Sequence, residues 1–227
     1  MTDDRTKEPQ YQQGLDAYRA QGGETLGPMM TQVWTDDPRR LTFVLARYKF
    51  VSKMLSGKQR VLEVGCADAF GTRVVQQEVG SLVAVDFDPV FVEDVRSRMQ
   101  DRWRFECRVH DMLTGPIQPP FDAAYSLDVI EHIEEKDERR FLDNVVASLV
   151  DDGVLIVGSP SIQSQLYASP NSKAGHVNCK DAPALKALML EYFGNVFMFS
   201  MNDEVVHTGF SPMAHYLFAI GAGKRRR

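Results

Sequence analysis

Two carboxylates and an imidazole lie within the segment DVIEHI. Asp128, Glu131 and His132 stand at positions i, i+3 and i+4, so a helical turn there would place them on one face. Such a set can bind a divalent cation or hold a base beside a hydroxyl group, and His176 is a candidate fourth member. An alcohol attacks poorly until a base removes its proton or an ion lowers its pKa.

The segment VLEVGCADAFG has the features of a buried strand that is followed by a cofactor-binding turn. Its glycine at position 65 is kept, but Ala67 and Ala69 stand where further glycines are expected. Because alanine avoids the left-handed region, we expect ordinary backbone dihedral angles at both alanines. A dinucleotide loop has its third glycine where this chain has Phe70, which predicts a nucleoside ligand without phosphates.

Strands alternate with helices through the middle of the chain, which predicts an α/β fold with a parallel sheet and helices on both faces. Ligands bind at the carboxyl ends of such strands. Asp86 follows the second strand, 21 residues after Gly65, a separation from which a carboxylate reaches the ribose of a nucleotide. Asp111 and Asp128 follow the third and fourth strands. The sequence therefore predicts a cofactor site at this edge of the sheet.

Three segments are expected along the chain. Residues 1–56 are predicted to form a helical extension that acts as a lid, residues 57–221 the sheet domain, and residues 222–227 a basic tail. His215 opens a predicted strand and is expected to be structural, whereas His207 lies on a loop that could face the pocket.

The composition of the chain indicates which kinds of molecule the protein is expected to bind. The chain has 227 residues, a net charge of −5 and three cysteines without metal-like spacing. The charge makes nucleic acid an unfavourable partner, and the cysteines are typical of reduced cytosolic thiols. No apolar run is long enough to span a membrane, so we expect a cytoplasmic protein with a small-molecule acceptor and no membrane partner. A homodimer is left open.

Four segments, VLEVGCADAFG, VAVDFDP, HDML and FDAAYSLDVIEHI, together resemble the motifs of class I S-adenosylmethionine-dependent methyltransferases. The resemblance implies a doubly wound, seven-stranded, mostly parallel sheet of the Rossmann-like methyltransferase type, with an antiparallel last strand. It also implies S-adenosylmethionine as the cofactor. The cofactor-binding residues that it implies are Glu63, Gly65, Cys66, Ala67, Asp86, Phe87, Asp111, Met112 and Asp128.

DVIEHI also resembles the E-x-x-E-H signature of ubiquinone-pathway O-methyltransferases and small-RNA 2′-O-methyltransferases, which are linked to magnesium-like ions. The resemblance implies that Asp128, Glu131, His132 and His176 bind Mg²⁺ or Mn²⁺. Here the first ligand is Asp rather than Glu. In the alternative, His132 or His176 acts without a metal as the catalytic base.

The loop that follows the fifth predicted strand, residues 159–173, is rich in hydroxyl groups and would overhang the acceptor site. It favours transfer of a methyl group to a hydroxyl of a small, polyhydroxylated, sugar-like acceptor. Three alternatives remain: a small-RNA 2′-O-methyltransferase, which a contiguous basic groove would favour; a nicotinamide-dependent oxidoreductase, which Phe70 disfavours; and a non-catalytic cofactor-fold binding protein.

Overall fold

A computed structural model describes residues 4–225 of the chain. Its helices are α1 (Gln12–Gln21), α2 (Pro28–Asp36), α3 (Arg39–Met54), α4 (Thr72–Gln76), α5 (Pro89–Arg98), α6 (Glu135–Ala147), α7 (Pro170–Gly175) and α8 (Ala182–Leu190). Its strands are β1 (Arg60–Val64), β2 (Ser81–Asp86), β3 (Glu106–Val109), β4 (Phe121–Leu127), β5 (Leu149–Pro160), β6 (Phe193–Asn202), β7 (Val205–His207) and β8 (Tyr216–Lys224).

The strands form one sheet in the order β3-β2-β1-β4-β5-β8-β6-β7. The first five run parallel, and β8 is antiparallel to both β5 and β6, as predicted for the last strand. The sheet has eight strands rather than seven, because β6 turns back after Asn202 and pairs with the short β7. The chain order reverses between β1 and β4, so their carboxyl ends flank the crevice where ligands bind in this architecture.

Helices cover both faces of the sheet. Alternate residues of β1 face opposite sides: Leu62 and Val64 pack in one buried cluster with α6 and α8, and Val61 packs in the other with α3, α4 and α5. This two-residue period is that of strands buried on both faces. The predicted doubly wound fold is confirmed.

The two ends of the chain are more closely joined to the sheet than expected. Val51 of α3 and Leu55, which follows the helix, are fully buried in the second cluster, so the last part of the predicted extension belongs to the core. Residues 222–224 of the predicted tail continue β8, and the Arg225 amide donates to the Tyr192 carbonyl (2.8 Å). The last two tail residues lie outside the described range. None of the described helices combines the length and the apolar character needed to cross a membrane.

Candidate functional site

The loop after β1 follows a left-handed path, contrary to expectation. Gly65 has φ 75°, and Ala67 and Ala69 have φ 44° and 50°. A Cβ on Gly65 would lie 2.3 Å from Cγ2 of Val129, so this position requires glycine for space as well as for conformation. The two alanines were predicted to keep negative φ. They adopt the glycine-like path because the surrounding hydrogen bonds, described below, fix the loop.

Relieving this strain should stabilise the protein. A left-handed alanine costs about 1–2 kcal/mol, whereas alanine-to-glycine replacement costs about 0.4–1 kcal/mol through the unfolded chain. We expect Ala67→Gly and Ala69→Gly each to raise the free energy of unfolding by up to about 1 kcal/mol in urea titrations. The control is Ala187→Gly in the exposed part of α8, which should lower it by about 0.5–1 kcal/mol. A loss of stability in both loop variants would contradict the strained conformation.

Asp86 fastens this loop to the end of β2. Its Oδ2 accepts a hydrogen bond from the backbone amide of Ala67 (2.8 Å), and its Oδ1 accepts one from the backbone amide of Asp88 (2.9 Å). An ionised carboxylate offers about four acceptor positions, so two remain for ribose hydroxyls. The neighbouring Phe87 is 73% exposed, as expected of a side chain that could cover a bound nucleoside.

Glu63 is buried beneath the loop and bonded on both oxygens. Oε1 accepts the Tyr48 hydroxyl (2.8 Å) and Oε2 accepts the Thr72 hydroxyl (2.6 Å). Burial raises the pKa of Glu63 from 4.5 to about 7, although these hydroxyls favour the charged form. The Tyr48 ring packs so closely on Gly71 that a Cβ there would lie 2.1 Å away. Glu63 therefore links α3 to the start of α4 and supports the loop from below.

The raised pKa of Glu63 makes stability fall as pH rises. The folded protein holds this proton up to about pH 7 and the unfolded chain only to about 4.5, so the stabilisation is complete below pH 4.5 and is lost above about 7. Relative to Glu63→Gln, wild type should lose roughly 2–3 kcal/mol of unfolding free energy between about pH 5 and pH 8. Urea titrations at both pH values measure this difference. Parallel pH profiles in the two proteins would show that Glu63 has an ordinary pKa.

Three other predicted cofactor residues differ in accessibility. Cys66 is buried, and the Met112 side chain is buried in the core with its carbonyl bonded to Asn144 (2.6 Å). Only their backbone groups could contact a ligand. Asp111 is exposed, and its Oδ1 accepts the Leu113 amide (2.8 Å). Its role beside an adenine remains a prediction.

The segment after β4 forms a short 3₁₀ turn at Ile130–His132 instead of an α-helical turn. Asp128 lies just before this turn and has φ 57°. Both of its carboxylate oxygens accept hydrogen bonds from Nη1 of Arg47 (2.9 and 2.8 Å). Asp128 was predicted to share a face with Glu131 and His132 as a metal ligand. The structure instead pairs it with α3, 81 residues away in sequence.

Glu131, His132 and His176 do come together. One ligand atom of each lies within 4.8 Å of the other two. His176 is brought to the turn because the amides of Val177 and Asn178 both donate to the Glu131 carbonyl (2.8 and 3.0 Å). Three of the four predicted ligands are thus close together, and their role as metal ligands stays a prediction.

The imidazole rings of His132 and His176 are each held by a hydrogen bond at Nδ1. Nδ1 of His132 bonds the Gly175 carbonyl (2.8 Å) and Nδ1 of His176 bonds Oε1 of Gln165 (2.9 Å). Since these oxygens only accept, each Nδ1 is the donor, and Nε2 is the atom that carries the lone pair whenever the ring is neutral. Burial, and then the neighbouring His132, lower the pKa of His176, which keeps it neutral.

Glu131 lacks the partners that a buried carboxylate needs. It is fully buried, and neither carboxylate oxygen has a hydrogen-bond partner within residues 4–225. Burial, and then the Asp128 carboxylate, raise the pKa of Glu131 to about 8. Unsatisfied buried carboxylates are costly and occur mainly at functional sites.

A cavity of about 770 Å³ opens beside His176. Its walls come from one side of α3, the turn at Ile162–Tyr167 and the segment before β8, and include Arg47, His215 and Tyr216. His215 was expected to be structural, yet it lines the cavity, whereas His207 bonds Oδ1 of Asn202. A smaller cavity of about 480 Å³ lies where α6 ends and β5 begins, at the opposite end of the parallel strands, so we assign it no role in the chemistry.

The middle of the chain is similar to a known protein family. Residues 61–153 match a protein family described as a methyltransferase domain. The matched region contains the loop after β1, Asp86 and Glu131, but not His176 or the cavity wall from α3. Part of the candidate site therefore lies in segments that flank the matched region.

The curated relatives agree with this match. Two proteins of Mycobacterium tuberculosis, from strains CDC 1551 / Oshkosh and ATCC 25618 / H37Rv, are each described as a probable S-adenosylmethionine-dependent methyltransferase. Each is 30% identical over 102 residues, which is 44% of this chain and 35% of the relative. The matched part of the chain thus spans about a third of the length of these relatives.

Solved structures share the fold. The N-methyltransferase NodS of Bradyrhizobium japonicum WM9, in complex with S-adenosyl-L-homocysteine, superposes with a TM-score of 0.59 at 21% identity over 84% of this chain and 90% of its own. The methyltransferase domain of bacterial CtHen1-C gives 0.64 at 13% identity over 80% and 97%. The Rossmann-like methyltransferase fold predicted from the sequence is confirmed.

Proposed function

We propose that the protein transfers the methyl group of S-adenosylmethionine to a hydroxyl of a small, polyhydroxylated acceptor. One observation carries the proposal: the left-handed loop fastened to Asp86 lies at the same edge of the sheet as Glu131, His132 and His176, next to a cavity. A cofactor loop and an acid–base cluster at one strand edge are the two parts that methyl transfer to a hydroxyl requires.

The cofactor end is built from the loop and Asp86. Two free acceptor positions on Asp86 suit the two ribose hydroxyls, and the exposed Asp111 suits an adenine amino group. Glu63 is fully engaged with Tyr48 and Thr72, so it positions the loop rather than pairing with the sulfonium. Phe70 disfavours a dinucleotide, which supports S-adenosylmethionine over a nicotinamide cofactor.

The transfer is an in-line displacement. The acceptor oxygen forms a bond to the methyl carbon as the carbon–sulfur bond breaks, S-adenosylhomocysteine leaves, and the hydroxyl proton is lost. The Nε2 lone pair of His132 or His176 can take that proton directly, because each Nδ1 is already protonated and held by a carbonyl oxygen.

The same three residues also fit a divalent ion. Glu131 has two unsatisfied buried oxygens and the histidines present two free Nε2 atoms, with Nδ1 held from behind as in metal-bound histidines. A carboxylate with two imidazoles suits Mn²⁺, and Mg²⁺ less well. When bound, the ion would lower the pKa of an acceptor hydroxyl. We therefore propose Glu131, His132 and His176, without Asp128, as its ligands.

The test is turnover on matched acceptors. The protein is incubated with S-adenosylmethionine, Mn²⁺ and panels of hydroxyl, amine and thiol compounds, and S-adenosylhomocysteine release and methylated products are measured by mass spectrometry. We expect methyl ethers from polyhydroxylated compounds. Exclusive methylation of amines or thiols would contradict O-transfer, and turnover confined to RNA would favour the small-RNA alternative.

A further inference from the structure

One face of α3 presents two arginine side chains to the cavity of about 770 Å³. Arg40, Phe43 and Arg47 stand at i, i+3 and i+7, so they lie on one side of the helix, and all three line the cavity. Arg40 and Arg47 are two turns apart, about 10 Å along the axis. Their guanidinium groups can therefore approach one ligand from the same wall.

The cavity is lined by basic residues, whereas the chain as a whole has a net negative charge. Arg40, Arg47, His176 and His215 line it, and no Asp or Glu among the described residues does. The chain as a whole has 31 acidic and 26 basic residues. Burial lowers the pKa of His176 and of His215, so the positive charge at this cavity is that of the two arginines, of which Arg47 is paired with Asp128. Two guanidinium groups in a cavity that no carboxylate of the described residues lines favour an anionic ligand.

Both arginines keep donors for such a ligand. The Arg40 side chain is exposed and makes no hydrogen bond or ion pair with any residue that the structure describes. Arg47 uses Nη1 for Asp128, its Nε is buried without a hydrogen-bond partner in the described chain, and its Nη2 is the donor left for a ligand. The Arg47 guanidinium lies 3.9 Å above the Tyr216 ring, which fixes the plane of its remaining donors.

Neutral polar groups also line the cavity. Gln163, Ser164 and Ser172 line it, and His176 connects the cavity to the acid–base cluster. A ligand that fills the cavity would be lined by the two arginines, by hydroxyl and amide groups, and by His176. That arrangement fits a hydroxylated ring that bears an anionic group.

We propose that the methyl acceptor is a small polyhydroxylated molecule with a phosphate or carboxylate group, and that Arg40 and Arg47 bind this anion. The proposal rests on the proposed methyl transfer, since it assigns the cavity to the acceptor. Guanidinium groups match both anions with paired hydrogen bonds.

The test is calorimetric binding to the full chain saturated with S-adenosylhomocysteine. The probes are glucose, glucose 1-phosphate and glucuronate, which share a ring but differ in charge. At least one anionic probe should bind about tenfold or more tighter than glucose, as expected for hydrogen bonds to charged groups. Comparing glucose 1-phosphate with glucuronate shows whether the cavity prefers a phosphate or a carboxylate group.

Arg40→Gln and Arg47→Gln should each reduce that preference by about tenfold, and Arg102→Gln, an exposed arginine outside the cavity, should leave it unchanged. Arg40 is exposed, so its variant keeps the test valid if loss of Arg47 unfolds the protein. Equal affinity for charged and neutral probes, no binding of either anion, a preference that survives both variants, or tight binding of an RNA oligonucleotide alone would overturn the assignment. Failure to bind S-adenosylhomocysteine would instead overturn the proposed function, whatever the anion result.

Discussion

Turnover of Glu131→Ala is expected to fall by a factor of about 100 or more, while its affinity for S-adenosylhomocysteine stays within about twofold of wild type. The reason is the position of Glu131, which is buried beside His132 and His176 and is not part of the cofactor loop. Activity should vanish in excess chelator and return with Mn²⁺. Steady-state assays of S-adenosylhomocysteine release measure both effects.

A second measurement separates metal binding from catalysis. Mn²⁺ should raise the Tm of wild type, because it binds only the folded site, and should leave the Tm of Glu131→Ala unchanged. Glu134→Ala, an exposed carboxylate three residues further on, is the matched control and should behave like wild type. Full activity in chelator together with no Mn²⁺ effect on Tm would end the metal assignment. Activation would then rest on a histidine base, with a pH profile governed by one imidazole.

Asp86→Ala should weaken S-adenosylhomocysteine binding by about tenfold or more, the effect of losing hydrogen bonds to a charged group. It should also lower the free energy of unfolding by about 1–3 kcal/mol, because the amides of Ala67 and Asp88 lose their acceptor. Calorimetry and urea titration measure the two effects on the same protein.

Asp88→Ala is the matched control for this variant. The Asp88 side chain caps α5 by accepting the Val90 amide (2.9 Å), so its loss should cost about 1 kcal/mol of stability and little cofactor affinity. If Asp86→Ala and Asp88→Ala lose stability alike and both keep their affinity, Asp86 only fastens the loop and the ribose lies elsewhere.

The strand ends were predictable because they depend on local signals. Alternating strands and helices fix a parallel sheet, and Asp86 follows directly after a strand whose apolar residues are readable in the sequence. The proximity of Glu131 and His132 followed from their spacing. The eighth strand was missed because β7 has only three residues and no apolar alternation to mark it.

Contacts between residues far apart in the sequence could not be predicted from it. Arg47 and Asp128 are 81 residues apart, and nothing local indicates that α3 lies across the end of β4. The conformation of Ala67 was predicted wrongly because propensity favours negative φ, whereas the bond from its amide to Asp86 overrides that preference. The spacing G-x-A-x-A, which copies a glycine loop, was the available signal. For the cavity wall on α3, the available signal was the i, i+3, i+7 spacing of Arg40, Phe43 and Arg47.

Calorimetric titration of the full chain with S-adenosylhomocysteine and, in parallel, with NAD tests the central claim most directly. We predict one molecule of S-adenosylhomocysteine bound per chain, no detectable heat with NAD, and a marked loss of S-adenosylhomocysteine affinity in Gly65→Ala, whose added Cβ would meet Val129. Binding of NAD without binding of S-adenosylhomocysteine would contradict the account.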